Sequence, residues 1–392
     1  MNSFNSYNKR LKKNQSPLLL SPGPVILATP IKKSLSQDMW HHRSFLFKKA
    51  LRKISSDLKI LFQTKQDVLI LACTGTGAME ASLSNILSPK EEVLCVSAGK
   101  FGERWKEIAL AFNLKPIVIE VPWGQAVSIK EIEKHLNNKN IKALLITACE
   151  TSTATEQPIK EVAKLLKNYP DILLVVDAIT GLGAMELKMD KWGIDVMIAG
   201  SQKTFWLPAG LAFICLSQKA WKKNLSSKLP KYYFDLNKER QAQQKGETAF
   251  SSSVSLIRAL SVSLKLLKKK GLKNLIIRTE TLKKACHIFC KFLGLELFSS
   301  KPANSLTALK VFSADSIKKN LERKHGIFIA GGQGQLKNKI LRIGHLGPLT
   351  NKDFIRALKA LGFELVKQKP DLFTKTKIKM ALKKVEDILK PS

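Results

Sequence analysis

Between residues 67 and 216 the chain repeats one pattern, a short apolar run followed by a helical stretch. The runs are Asp67 to Cys73 (DVLILAC), Glu92 to Ser97 (EVLCVS), Pro116 to Val121, Lys142 to Ala148 (KALLITA), Ile172 to Asp177 (ILLVVD), Val196 to Ala199 and Leu211 to Leu216 (LAFICL). Helical stretches lie between them at Ala78 to Leu87, Phe101 to Phe112, Ile129 to Leu136 and Ile159 to Leu166. Apolar runs this short, joined by helices, are strands buried on both faces. That combination requires a mostly parallel sheet of seven strands with helices packed against it, an α/β domain.

After Ser255 the texture changes. Leu256 to Lys269 is a long amphipathic helix ending at Gly271, and Leu272 to Leu293 is another. Strand-like Leu306 to Phe312, Ile327 to Ile329 and Ile340 to Ile343 then share the chain with helices at Ser316 to Lys324 and Lys352 to Leu361. This is the pattern of a smaller α+β domain. The expected division is an N-terminal extension over 1–20, a large domain over 21–269, a small domain over 270–366 and a Lys-rich tail over 367–392.

Composition narrows the class. Hydrophobic residues make up 44% and charged residues 25%, enough apolar surface to exclude a disordered chain. No apolar run reaches the roughly 18 residues that span a bilayer. Met1 to Gln15 is polar and lacks the apolar block of a signal peptide. The expectation is a cytoplasmic protein with no membrane partner. The 66 Lys+Arg against 31 Asp+Glu give a formal charge of +35, a footprint shared with nucleic-acid binders. Here Lys is spread along the polar faces of helices and Arg is scarce beside it, which favours a solvated surface over a phosphate-reading one. Of six cysteines only Cys286 and Cys290 are close, and no Cys-x-x-Cys pair or His cluster exists, so no metal site is expected.

Three features carry chemistry. Thr74-Gly75-Thr76-Gly77-Ala78 joins a strand to a helix, where backbone amides at a helix N-terminus can hold phosphate. The third glycine of a dinucleotide fingerprint is replaced by Glu80, and no Gly-Lys-Ser/Thr follows, so alone it reads equally as a tight turn. Asp177 ends the most apolar strand, at the edge where open α/β sheets bind ligands, and could otherwise cap a helix. Lys203 follows a buried strand and precedes the apolar stretch Thr204 to Gly210, a setting that desolvates an amine. A phosphate cradle, a carboxylate and a buried lysine on one sheet edge meet the needs of pyridoxal phosphate.

At that point the sequence resembles the class V aminotransferases of fold type I, in the branch of serine–pyruvate and alanine–glyoxylate aminotransferases. Members of that branch are also labelled aspartate aminotransferase or soluble hydrogenase small subunit. The resemblance runs from about Pro22 to Leu365. It is carried by SPGPV (Ser21 to Val25), HHRS (His41 to Ser44), GTGAMEA (Gly75 to Ala81), GKFGERW (Gly99 to Trp105), ETSTA (Glu150 to Ala154), VVDAITGLGA (Val175 to Ala184), GSQK (Gly200 to Lys203), KLPKYYFDL (Lys228 to Leu236), GETAFSSSVSLI (Gly246 to Ile257) and AGGQGQLKNKILRIGHLG (Ala330 to Gly347). The implied cofactor is pyridoxal 5'-phosphate.

The resemblance also implies roles. Thr76, Gly77 and Ala78 would bind the cofactor phosphate, and Gln202 would add a contact. Phe101 would stack on the pyridine ring, Thr151 would touch its hydroxyl side and Asp177 would pair with its nitrogen. Lys203 would be the Schiff-base and proton-transfer lysine. Thr248 and Ser251 would reach the phosphate of a second subunit, which implies a homodimer with shared active sites. Arg342 would clamp the substrate α-carboxylate.

The expected reaction moves the amino group of serine, alanine or aspartate to a 2-oxo acid such as glyoxylate or pyruvate. Departures from the family pattern bear on substrate preference. Ala154 replaces the usual Gly of ETSTG, Phe101 replaces Trp or Tyr, Ala148 and Cys149 stand where relatives carry His and a small polar residue, and Ala249 and Ser252 where they often carry Pro. Alternatives are a phosphonate transaminase, a lyase-type enzyme on the same scaffold, or a non-catalytic basic binding protein. A cysteine desulfurase needs a late loop cysteine, and Ala330 to Lys339 has none.

Overall fold

Seven short strands assemble into one mixed sheet in the computed structural model, which describes residues 17–390. They are β1 (Val68–Leu71), β2 (Glu92–Ser97), β3 (Lys115–Glu120), β4 (Ile141–Thr147), β5 (Leu173–Asp177), β6 (Val196–Gly200) and β7 (Ala212–Leu216). Their spatial order is β1-β7-β6-β5-β4-β2-β3. All neighbours run parallel except β7, which is antiparallel to both β1 and β6. The expected mostly parallel α/β sheet is therefore present, with each strand within about two residues of its apolar run.

Strand periodicity distributes each run over two faces. Leu174 and Val176 enter the core on one side of the sheet, and Leu173 and Val175 enter the core on the other. All five residues of β5 are buried. Each fully buried aliphatic side chain contributes about 1.5–3 kcal/mol, which is why these runs tolerate no polar residue before their ends. Register places Asp177, the last residue of β5, opposite Ile198 of β6. The exits of β5 and β6, and hence Asp177 and the turn carrying Lys203, thus share one edge of the sheet.

Helices α1 (Phe45–Phe62), α2 (Gly75–Ile86), α3 (Lys100–Ala111) and α4 (Val254–Lys270) belong to this layer, and α5 (Leu272–Leu293) leads out of it. Helix α2 begins three residues before the predicted start at Ala78, because Thr74 is extended and serves as its N-cap. Gly75, Thr76 and Gly77 are therefore first-turn residues whose N–H groups have no intrahelical acceptor. A Cβ on Gly77 would lie 2.8 Å from Cys73 Sγ, so the tight entry requires glycine.

A second core lies around the antiparallel sheet β8 (Leu306–Lys310), β9 (Ala330–Gly331) and β10 (Ile340–Gly344), ordered β8-β10-β9. Helices α5, α6 (Asn351–Gln368) and α7 (Lys375–Leu389) supply much of it. The stretch expected as a Lys-rich tail thus contains α7. Its lysines face solvent, while Ile378, Ala381, Val385 and Leu389 form one buried stripe. Of the expected N-terminal extension, residues 1–16 lie outside the described residues. Leu18–Leu19 form a strand parallel to Ile327–Phe328, and Leu18 and Leu20 enter the second core.

Candidate active site

Lys203 lies in the turn after β6 and is only 7% exposed. Its Nζ donates to the carbonyl of Pro22 at 2.7 Å. Burial pushes the amine down to about 8, and the positive Arg342 nearby acts in the same direction. Gly23, at φ 152°, brings backbone against this side chain; a Cβ there would lie 2.6 Å from Nζ. The SPGPV motif thus forms a wall for the lysine.

Asp177 is buried, and its Oδ1 accepts the N–H of Ile179 at 2.8 Å. Burial pushes the carboxyl up to about 7, with the negative Glu150 adding to the rise. Among the described residues no basic side chain forms an ion pair with it. A buried carboxyl without a cation is costly, and a protonated pyridine nitrogen would supply the missing charge.

The turn expected to hold phosphate has two further features. The Oε1 of Gln202 is buried with no donor in reach, so only its Nε2 could donate to a phosphate. Arg104 donates from Nη1 to Thr76 Oγ1 at 3.1 Å, and its guanidinium lies 4.9 Å from the centre of the Phe101 ring. The N–H of Ala78 is already directed to the Thr74 carbonyl at 3.3 Å, so Thr76 and Gly77 offer the freer amides. A cation, two free amides and a buried lysine amine, bonded only to the Pro22 carbonyl and close to a buried acid, fit pyridoxal 5'-phosphate.

Phe101 is aimed by Glu150. The Glu150 carboxylate is fully buried and accepts the N–H groups of Phe101 at 3.1 Å and Gly102 at 2.9 Å. It also accepts from Ser152 N at 3.0 Å and Ser152 Oγ at 2.5 Å. Four donors hold this carboxylate at the N-terminus of α3, where negative charge is stabilised, although burial still pushes its pKa up. Thr151 is buried beside it, with Oγ1 donating to Thr180 Oγ1 at 2.8 Å. Ala154, the departure from ETSTG, is buried and keeps a left-handed backbone at φ 60°, the conformation for which glycine is the usual residue.

Arg342 reaches this turn from β10. It is 6% exposed, with Nε donating to Gly331 O and Nη1 to Thr151 O, both at 2.9 Å. Burial pulls the guanidinium down to about 10. Among the described residues it has no ion pair, and these two bonds use only part of its fork of five donors. A surface arginine paired with a nearby acid is therefore not what β10 carries.

The structure brings Thr76, Gly77, Phe101, Thr151, Asp177, Gln202, Lys203 and Arg342 to one edge of the sheet. It does not bring Thr248 or Ser251 there. Within one chain those two line a separate recess with Tyr233 and Glu239, and Thr248 Oγ1 donates to Phe250 O at 2.8 Å. Arg104 and Glu150 were missed by sequence reasoning as individual site residues, although GKFGERW and ETSTA contain them. The signal was a charged residue inside a motif of small and aromatic ones.

The aminotransferase class-V family profile matches residues 32–341. A soluble hydrogenase 42 kDa subunit from Anabaena cylindrica is 38% identical over 88% of this chain and 92% of its own. A serine–glyoxylate aminotransferase from Arabidopsis thaliana is 30% identical over 89% of each. The solved alanine–glyoxylate aminotransferase from a Nostoc species superposes with a TM-score of 0.86 at 27% identity, covering 91% of this chain and 98% of that one. With the lysine, the carboxylate and the cradle at one sheet edge, the chain belongs to the class V aminotransferases, whose cofactor is pyridoxal 5'-phosphate.

Proposed function

We propose that this aminotransferase moves the amino group of a small α-amino acid (serine, alanine or aspartate) to a 2-oxo acid such as glyoxylate or pyruvate. The observation that carries this reading is the buried Arg342, which has unused donors and no acid partner. An α-carboxylate is the group a guanidinium fork binds bidentately, and its arrival would neutralise the buried charge.

Bound pyridoxal phosphate supplies a carbonyl carbon that takes up the amine and a pyridine ring that withdraws electrons. Lys203 would hold the cofactor through its Nζ, and the same Nζ would move the proton at the substrate Cα. Its depressed pKa leaves a useful fraction neutral near neutral pH. Asp177 would keep the pyridine nitrogen protonated. Thr76, Gly77 and Gln202, with Ala78 at the end of the same turn, would hold the phosphate, Phe101 would lie against the ring, and Thr151 would meet its hydroxyl side.

Thr248 and Ser251 serve the site of a second copy, so the working unit is a homodimer. Supporting this, Met39, Phe45, Leu46 and Tyr232 are apolar side chains at least 57% exposed, and Arg43 pairs with Glu247 at 3.3 Å, which joins that exposed segment to Thr248. The chain divides functionally into a large cofactor-binding part over 21–269 and a small part over 270–366, to whose core the N-terminal Leu18 and Leu20 and the α7 stripe also contribute. No helix among the described residues is long and apolar enough to cross a membrane, which is compatible with a cytoplasmic enzyme.

The reading is tested by assaying wild type and Arg342→Ala with alanine and with 2-aminoethylphosphonate, an amine without an α-carboxylate. Hydrogen bonds to charged groups contribute about 1.5–3 kcal/mol each, so kcat/KM for alanine should fall about tenfold to several hundredfold in the variant. Unchanged alanine turnover would remove Arg342 from the substrate site.

A further inference from the structure

Behind the lysine turn lies a second cavity, of about 490 Å³, on which the proposed reaction makes no demand. Its walls come from both cores. Thr204 and Trp206 follow Lys203 in the large layer, and Leu346 to Thr350 follow Arg342's strand in the small one. Lys269, Lys270 and Arg278 line it, and no Asp or Glu does.

Lys269 and Lys270 are exposed, and none of the three cations is ion-paired among the described residues. Lys268, next in the same helical turn, pairs with Asp57 at 3.3 Å, yet neither Lys269, Lys270 nor Arg278 has an ion pair among the described residues. Lysines in the last turn of α4 are explained by the helix dipole. Arg278 is not, because it stands two turns into α5. It is half-buried, its Nη2 donates to the carbonyl of Leu349 at 3.1 Å, and burial lowers its pKa with no carboxylate to offset the cost. Lys270 Nζ lies 5.8 Å from the Trp206 ring, so the nearly buried indole forms an apolar back wall for the charge. The volume is within the range that small ligands fill, and too small and concave for a macromolecular face.

We propose that this cavity binds a small polyanion, a phosphate ester or a polycarboxylate. Two or more negative charges would meet Arg278 and Lys270 together, with Lys269 at the rim. An anion bound there would touch the residues that follow Lys203 and those that follow Arg342's strand, and so would tie the two layers together.

The test is calorimetric titration of the cofactor-loaded enzyme with citrate, pyrophosphate and inorganic phosphate at constant ionic strength. Saturable binding at one anion per chain is expected. Lys270→Gln and Arg278→Gln should each weaken it about tenfold or more, while Lys359→Gln, an exposed lysine on α6, should leave it unchanged. Arg278 also holds the Leu349 carbonyl, so thermal unfolding of that variant is measured without anion; if it is destabilised, Lys270→Gln decides the matter. Tighter binding of pyrophosphate than citrate assigns a phosphate ester, and the reverse order a polycarboxylate. No saturable binding of any of the three, or equal affinity in wild type and both pocket variants, overturns the proposal. Neither result bears on alanine turnover, which tests the catalytic reading separately.

Discussion

Arg342 donates from Nη1 to the carbonyl of Thr151 at 2.9 Å, and so fastens the small sheet to the turn that borders the cofactor site. The contact joins residues 191 positions apart. The guanidinium is thus oriented by main chain and not by an acid, which is what the proposed carboxylate clamp requires. Preorganisation of this kind lowers the entropy lost on binding.

Arg342→Lys therefore should not rescue activity. A lysine keeps the charge but loses the planar fork that holds Gly331, Thr151 and a carboxylate at once. Steady-state kinetics should show kcat/KM for alanine reduced at least about tenfold. Recovery to near wild-type values would show that charge alone is required.

Asp177 gives a pH signature that needs no substrate. Its native pKa of about 7 exceeds the ordinary value of 3.8, so between those values the native state binds more protons than the unfolded state. Stability of the cofactor-free protein should fall as pH rises through that window. Asp177→Asn removes the titration, and the loss between pH 5 and pH 8 should shrink by ~1–4 kcal/mol in denaturant unfolding. The same variant should bind the cofactor but lose most turnover. An unchanged pH profile with full activity would show that the carboxyl is neither strained nor used.

Lys203 titrates in the opposite sense. Its native pKa of about 8 lies below the usual 10.5, so the unfolded state binds more protons between those values and stability rises with pH across them. Only the neutral amine attacks a carbonyl. The rate of cofactor uptake by the cofactor-free protein, followed by absorbance, should rise with pH to a midpoint near 8. A midpoint near 10.5 would mean an ordinary, solvated lysine.

Arg104 places a cation beside Thr76 in the proposed phosphate cradle. Arg104→Gln keeps a donor but removes the charge. The dissociation constant of pyridoxal phosphate should rise about fivefold to fiftyfold, on the scale of a charge-assisted hydrogen bond. An unchanged constant would confine Arg104 to packing against Phe101.

Ala154 stands at φ 60°, where a Cβ costs roughly 1–2 kcal/mol. Replacing it with glycine relieves that strain but gives up a buried methyl worth about 0.8 kcal/mol. Ala154→Gly should leave stability unchanged or raise it by up to about 1 kcal/mol, whereas the β-branched Ala154→Val should be strongly destabilising. Thermal unfolding of both variants checks the order, and a stable valine variant would contradict the backbone geometry.

Most of the sheet was legible because its information is local. An apolar run such as ILLVVD states burial on both faces without reference to the rest of the chain, and Asp177 marks its end. The motifs around Thr76, Lys203 and Arg342 were legible for the same reason. What was not legible depends on distant pairs. Glu150 meets Phe101 and Gly102 across 49 and 48 positions, and Arg104 meets Thr76 across 28, spans that no periodicity encodes. The Leu18–Leu19 strand exists only because Ile327–Phe328 pairs with it. In α7 the lysines dominate composition and conceal a four-residue stripe, so a folded helix read as a tail.

The most direct measurement is a visible absorbance trace of the purified, cofactor-loaded enzyme after single additions of serine, alanine or aspartate without any 2-oxo acid. A small α-amino acid should bleach the cofactor band in one half-reaction, and glyoxylate or pyruvate should restore it. 2-Aminoethylphosphonate should leave the band unchanged. Bleaching by the phosphonate alone, with no response to any of the three amino acids, would contradict the account.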